Sequence, residues 1–125
     1  MKALQLASEY ANGSVVITVA GELDLATRSD LCDYVHHILN IHADTVIIDL
    51  AGVTFIDASG LSALIVLRRH ARDLGTPLLL AEAPPVVLRL IKLTDLEGSF
   101  TAISRTGGLR GTRAEPARIG APVQA

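Results

Sequence analysis

An α/β fold with a mixed sheet is what this sequence predicts, from three observations. Half of the 125 residues are apolar but only 3% are aromatic, so the core has to be assembled from Leu, Ile, Val and Ala, the usual material of helices packed on a sheet. Strand-like and helix-like patterns alternate from Val15 onward, and strands joined by crossover helices pair in parallel. Between the first two apolar runs stands Asn12-Gly13, a pair that readily adopts the positive φ angles of a tight hairpin and so makes the first strand the antiparallel member.

Taken in order, Leu4-Gln5-Leu6-Ala7 and residues 15–20 read as the two strands of that hairpin. Leu31, Tyr34, Val35 and Ile38 then follow helical spacing at i, i+3, i+4 and i+7, predicting a helix over about 27–40. Thr27-Arg28-Ser29-Asp30 approximates a capping box at its start. Residues 45–50 are almost continuously apolar and β-branched, as a central strand covered on both faces would be. The segment from Gly52 to Asp57 reads as a loop leading to the next helix. In that helix Ala63, Leu64, Leu67, Ala71 and Leu74 fall on one arc of roughly 100°, and Gly75 stops it. Residues 77–81 form the next strand, Pro84-Pro85 opens a third helix carrying Val86, Val87, Leu90 and Ile91 to about Lys92, and residues 99–103 make a short strand at the sheet edge.

The length suits one domain with its own core, placed at residues 1–103. Residues 104–125 hold scattered Arg, Gly and Pro with almost no apolar periodicity, a composition that does not offset the entropy of ordering, so a disordered tail is expected there. Up to Ile103 there are 7 Lys and Arg against 12 Asp and Glu, and beyond it 4 Arg against 1 Glu. An acidic body without aromatic stacking platforms argues against nucleic-acid binding, whose affinity rests largely on phosphate neutralisation. No apolar run approaches the ~20 residues that span a bilayer, and no signal peptide opens the chain, so the cytoplasm is the expected compartment. A single cysteine, Cys32, has no partner for a disulfide or a Cys-based zinc site and reads as a helix-packing residue.

The most informative stretch runs from Val46 to Leu64, where a buried strand leads to a helix whose first turn carries Ser59. Helix first turns hold unpaired N–H groups and partial positive charge, so the backbone there tolerates an added phosphate. Asp57 is placed to cap that helix, leaving the Ser59 hydroxyl in the first turn. A phosphate would bring roughly −1.5 to −2 charges close to Asp57 and, in this fold, Asp24.

With these elements placed, Gly21-Glu22-Leu23-Asp24, residues 46–50 and Asp57-Ala58-Ser59-Gly60-Leu61 together resemble the STAS domain of bacterial anti-sigma factor antagonists, over residues 1–103. The resemblance implies a STAS-like mixed sheet with crossover helices. It implies that Ser59 is phosphorylated by an anti-sigma factor that is itself an ATP-using serine kinase, with Asp24, Asp57 and Gly60 around the switch. Unphosphorylated protein would bind that kinase and free its sigma factor, phosphorylation would end the binding, and a metal-dependent serine phosphatase would restore it. The domain would be substrate and switch, not an enzyme, present as a monomer or weak dimer. Two departures stand out. Ala58 replaces a second Ser or Thr often found before the phosphoacceptor, and a Gly- and Pro-containing segment follows Ile103 where many members have a further helix.

On a helical wheel Leu61 and Ile65 point away from the core arc, among Ser62, Arg68, Arg69 and Arg72. They are expected to be apolar anchors of a docking surface with a basic rim. Asp24 and Asp57 also suit plain turn and cap roles, and the arginines a solvated face. Rival readings fare worse. A phospho-aspartate receiver would use Asp49, yet the chain lacks the acidic pair for Mg²⁺ and the Lys after a late strand. A serine hydrolase would take His36, His37, His42 or His70 as base to Ser59 and would need a Gly-x-Ser-x-Gly elbow, whereas Ser59 lies in Asp-Ala-Ser-Gly. His36 and His37 are adjacent, cannot face one way on a helix and so make no metal site; they are expected to be solvent-exposed. No Gly-rich phosphate loop recommends a nucleotide cofactor. A constitutive STAS scaffold subunit of a signalling complex is the alternative that keeps the fold.

Overall fold

The computed structural model describes residues 4–41, 44–93 and 102–103. Strands β1 (Gln5–Ala11) and β2 (Ser14–Leu23) form an antiparallel hairpin with Leu6 opposite Val19 and Tyr10 opposite Val15. At its tip Asn12 and Gly13 have φ of 54° and 84°, the two consecutive positive values of a type I′ turn, which matches the twist of the flanking strands. Helix α1 (Arg28–Asn40), β3 (Thr45–Ile56), α2 (Ala58–Asp73), β4 (Leu78–Ala81), α3 (Pro85–Leu93) and β5 (Ala102–Ile103) follow. The sheet order is β1-β2-β3-β4-β5, with every pairing after the first parallel, so the expected mixed sheet is present. Residues 104–125 and the first part of the expected last strand lie outside the described residues.

Because each right-handed crossover steps to the next strand in the same direction, α1, α2 and α3 gather on one face of the sheet. The main core accordingly joins Leu31, Val35, Leu64, Leu67, Val87 and Ile91 of the helices to Val15, Ile17, Val46, Ile48 and Leu80 of the strands. A smaller cluster of Val16, Ile47 and Ala81, flanked by Leu79, contains no helix residue and occupies the alternate positions on the other face. No helix among the described residues is long and apolar enough to cross a membrane.

Two local expectations are corrected. The segment from Gly52 to Ile56 is strand, not loop. Opposite β2, Thr18 pairs with Asp49 but Ala20 with Gly52, and Gly21 pairs with Val53 but Glu22 with Phe55, so β3 carries an extra residue at each of two bulges. Its core residues after Ile48 are Leu50, Val53 and Ile56, and the two three-residue steps keep the same face inward. The N–H of Ala51 donates to Asp49 Oδ1 at 2.9 Å at the first bulge, and Thr54 Oγ1 donates to the Gly21 carbonyl at 3.3 Å near the second. Gly52 is needed there because a Cβ would stand 2.8 Å from that of Ala20.

The capping box at Thr27 does not form. Thr27 makes no side-chain cap; its hydroxyl donates to the Glu22 carbonyl at 2.7 Å and accepts from the Asp24 N–H at 3.1 Å. The end of β2 comes close enough to claim that hydroxyl, and Asp24 organises the turn instead. Its Oδ1 accepts from the N–H groups of Ala26 and Thr27 at 3.0 and 3.2 Å, and its carbonyl accepts from Arg28 N at 2.9 Å.

Candidate functional site

The long reach of β3 sets α2 against the C-terminal end of β2. Asp57, in extended conformation, donates its N–H to the Leu23 carbonyl at 3.3 Å and caps α2 by accepting the Gly60 N–H on Oδ1 at 2.9 Å. The expected cap is therefore in place. Ser59 is the second helical residue and is half-buried. The next residue, Gly60, is buried, and a Cβ there would run into the Leu23 carbonyl oxygen and lie within 3.0 Å of side-chain atoms of Leu23 and Ile56. Gly60 thus lets the first turn press directly on the β2 backbone.

Asp24 follows Leu23, so the turn it organises and the first turn of α2 share one end of the sheet, carrying two carboxylates and the Ser59 hydroxyl. Asp57 is spent on its cap and Asp24 on its turn. Both are structural as well as close to the serine in the fold.

The surface around Ser59 differs from the wheel-based expectation. Leu61 is 2% exposed and belongs to the main core with Leu23 and Ile56, so it is not an exposed anchor. The wheel took the sheet as the only wall, whereas the ends of β2 and β3 rise beside the first turn and widen its buried face. Ile65 is half-buried against the same core. Ser62 is half-buried, Arg68 is half-buried and Arg69 is exposed. The exposed apolar side chains are instead Val66 (40%), which lies seven residues from Ser59 on the same helix face, with Leu25 (70%) in the Asp24 turn and Phe55 (45%) at the end of β3. Sequence reasoning missed these three. Leu25 had a signal in following a turn-forming Asp, and Phe55 in sitting between the two inward residues Val53 and Ile56.

The rival sites do not assemble. Asp49 is buried and its carboxylate holds the first bulge, which is no place for a solvent-accessible phosphoacceptor. His36 is half-buried, contrary to expectation; its ring meets that of His70 at 4.6 Å between α1 and α2, and its Nε2 is buried without a hydrogen bond. His70 lies eleven residues along α2 from Ser59, about 16 Å at 1.5 Å per residue, so it offers no base to the serine. Among the described residues no group of three His, Cys, Asp or Glu side chains is arranged to hold a metal. Burial pushes the Cys32 thiol up from its ordinary value, with Arg28 lowering it and Asp33 raising it to smaller degrees, so the thiol stays protonated at neutral pH.

Residues 5–108 match the STAS domain family model. A STAS-domain containing protein, PA14_20770, of Pseudomonas aeruginosa is 27% identical over 86 residues, 69% of this chain and 84% of that protein. An anti-sigma factor antagonist from Mycobacterium paratuberculosis superposes with a TM-score of 0.71 and 26% identity, over 80% of this chain and 85% of that one. The anti-sigma factor antagonist SpoIIAA shares the fold at lower identity. Its unphosphorylated form gives a TM-score of 0.69 and 19% identity over 86% and 93% of the two chains. The phosphorylated form of SpoIIAA, a Bacillus cell fate determinant, gives 0.65 and 18% over 86% and 96%. With the strand order, the Asp57 cap and the Gly60 approach in place, the match over residues 5–108 establishes that the chain belongs to the STAS domain family.

Proposed function

We propose that this protein is an anti-sigma factor antagonist whose binding is switched at Ser59. The observation that carries the reading is the placement of Ser59 on a first turn already tied at Asp57, Gly60 and Leu61. A serine kinase reaches it without unfolding the domain, and phosphate there changes the charge of the surface more than its shape. The Mycobacterium antagonist supports the assignment of role, and the existence of SpoIIAA in unphosphorylated and phosphorylated forms supports a phosphate switch in this fold.

In this reading the partner is an anti-sigma factor that is also a serine kinase, a serine phosphatase resets the switch, and the complex forms in the cytoplasm. The domain acts as substrate and not as catalyst. The docking surface includes Ser62, Ile65, Arg68 and Arg69 of α2 and adds Val66, Leu25 and Phe55 as its exposed apolar members. Phosphate at Ser59 gains about 0.3–1 kcal/mol from the helix end, but it meets the carboxylates of Asp57 and Asp24 and must be desolvated under a partner. About 3–4 kcal/mol of such cost at the centre of a contact weakens Kd by two to three orders of magnitude.

The test is the intact mass and peptide map of protein isolated from its own cells, before and after phosphatase, beside Ser59→Ala. A gain of about 80 Da, removed by phosphatase and absent from the variant, is the mass of one phosphoryl group. Absence of any modification across growth conditions in which the kinase is made favours the constitutive scaffold reading instead.

A further inference from the structure

At the end of α2 opposite Ser59, Arg68, Arg72, Gly75, Thr76, Pro77, Leu78 and Leu79 line a cavity of about 280 Å³. Thirteen residues separate Ser59 from Arg72, about 20 Å along the helix, so this cavity lies away from Ser59 and shares only Arg68 with the proposed docking surface. We propose that it is a binding site for a small amphiphilic carboxylate, with the head group held by Arg68 and Arg72 and the alkyl body against Pro77, Leu78 and Leu79.

Charge is the first argument. Arg68 and Arg72 lie one helical turn apart and project to the same side. Neither has an ion pair or side-chain hydrogen bond to a described residue. Arg68 is half-buried, and burial, with the neighbouring Arg72 charge second, pushes its guanidinium below the ordinary value. Two close cations without an acceptor among the described residues, one of them partly desolvated, are relieved by an anion, and the fork of an arginine matches a carboxylate with two parallel hydrogen bonds.

Shape is the second. Gly75, at φ 77°, leaves the mouth without a side chain, and a Cβ there would meet nothing within 4 Å. Pro77 contributes no N–H. Leu79 is half-buried and Leu78 is buried with the main core, so the inner wall of the cavity is apolar. The wall is thus apolar with two cations at one side and the Thr76 hydroxyl nearby. The volume lies near the ~300 Å³ low end of ligand pockets, which suits a single short alkyl chain.

The experiment is an amide chemical-shift titration of the full chain with octanoate, set against octan-1-ol, which keeps the body without the head, and acetate, which keeps the head without the body. The expected result is saturable octanoate binding with shifts centred on residues 68–79, weak or no saturation with either control, and at least a tenfold loss of affinity in the Arg68→Gln/Arg72→Gln variant, the effect of losing one charge-assisted contact. Non-saturating shifts, shifts centred elsewhere, octanol binding as well as octanoate, or an unchanged affinity in a folded double variant each overturn the proposal. The comparison of octanoate with octanol uses the native chain alone, so it decides the matter even where the variant does not fold.

Discussion

The first turn of α2 is held by the Asp57 cap, by the approach of Gly60 to the Leu23 carbonyl and by Leu61 in the core. Its last turn is held by Ala71 in the core, by the His70 ring against that of His36, and by a closure in which Gly75 N donates to the Arg72 carbonyl and Thr76 N to the Ala71 carbonyl, each at 2.9 Å, the Schellman pattern with glycine in the left-handed region. Beyond that closure Arg68 and Arg72 face a cavity. At one end a buried glycine presses on the β2 backbone beside the carboxylates of Asp57 and Asp24, while at the other the glycine faces open space and Arg68 and Arg72 line a cavity. The difference teaches where change is tolerated. A group added at the rigid end alters charge with little rearrangement, whereas the other end has room for a ligand.

The sharpest way to break this comparison is Leu61→Ala. As a core residue Leu61 should lose about 2–4 kcal/mol of stability in urea denaturation, whereas Val66→Ala on the exposed face should change stability by less than ~0.5 kcal/mol. Equal, small effects of the two would return Leu61 to the surface. Next comes Gly60→Ala, whose methyl meets backbone and should cost about 1–3 kcal/mol. The matching change at the other end, Gly75→Ala, meets open space and should cost about 1 kcal/mol, from its positive φ alone. If Gly75→Ala proves the more damaging, the first turn is not the tighter end. Asp57→Ala removes a cap and should cost about 1 kcal/mol, seen as a lower urea midpoint with unchanged slope.

The smallest effect concerns α1. Because burial raises the Cys32 pKa, its thiolate fraction at pH 8 should be below that of the unfolded chain, and Cys32 should react with a thiol reagent more slowly in the native protein than in urea. The sign for stability follows. A thiol with a raised folded-state pKa stabilises below its unfolded pKa, and that contribution fades as pH rises through the folded value. Equal thiol reactivity in the two states contradicts the burial seen on α1.

Local chemistry was legible in the sequence wherever a few neighbouring residues decide the backbone. Asn12-Gly13 predicted the hairpin, Asp57 the cap and Gly75 the helix stop, and all three are present. The reading failed where distant chain decides. The pattern of β3 stops alternating after Leu50 because two bulges turn steps of two into steps of three, so strand was mistaken for loop. Leu61 looked outward because a helical wheel has no knowledge of the walls raised by β2 and β3. The Thr27 hydroxyl matched a capping box in sequence, but the Glu22 carbonyl reaches it first. Around Ser59, the serine, its cap and Gly60 were identifiable from the motif, while the exposed apolar set of Leu25, Phe55 and Val66 emerged only with the fold.

The measurement that tests the central claim most directly is the affinity of the anti-sigma kinase for unphosphorylated protein, for protein phosphorylated at Ser59, and for Ser59→Ala treated with kinase and ATP. The account predicts that phosphorylation raises Kd by roughly 100- to 1,000-fold, and that Ser59→Ala keeps the unphosphorylated affinity after the same treatment. Equal Kd for the phosphorylated and unphosphorylated forms would contradict it.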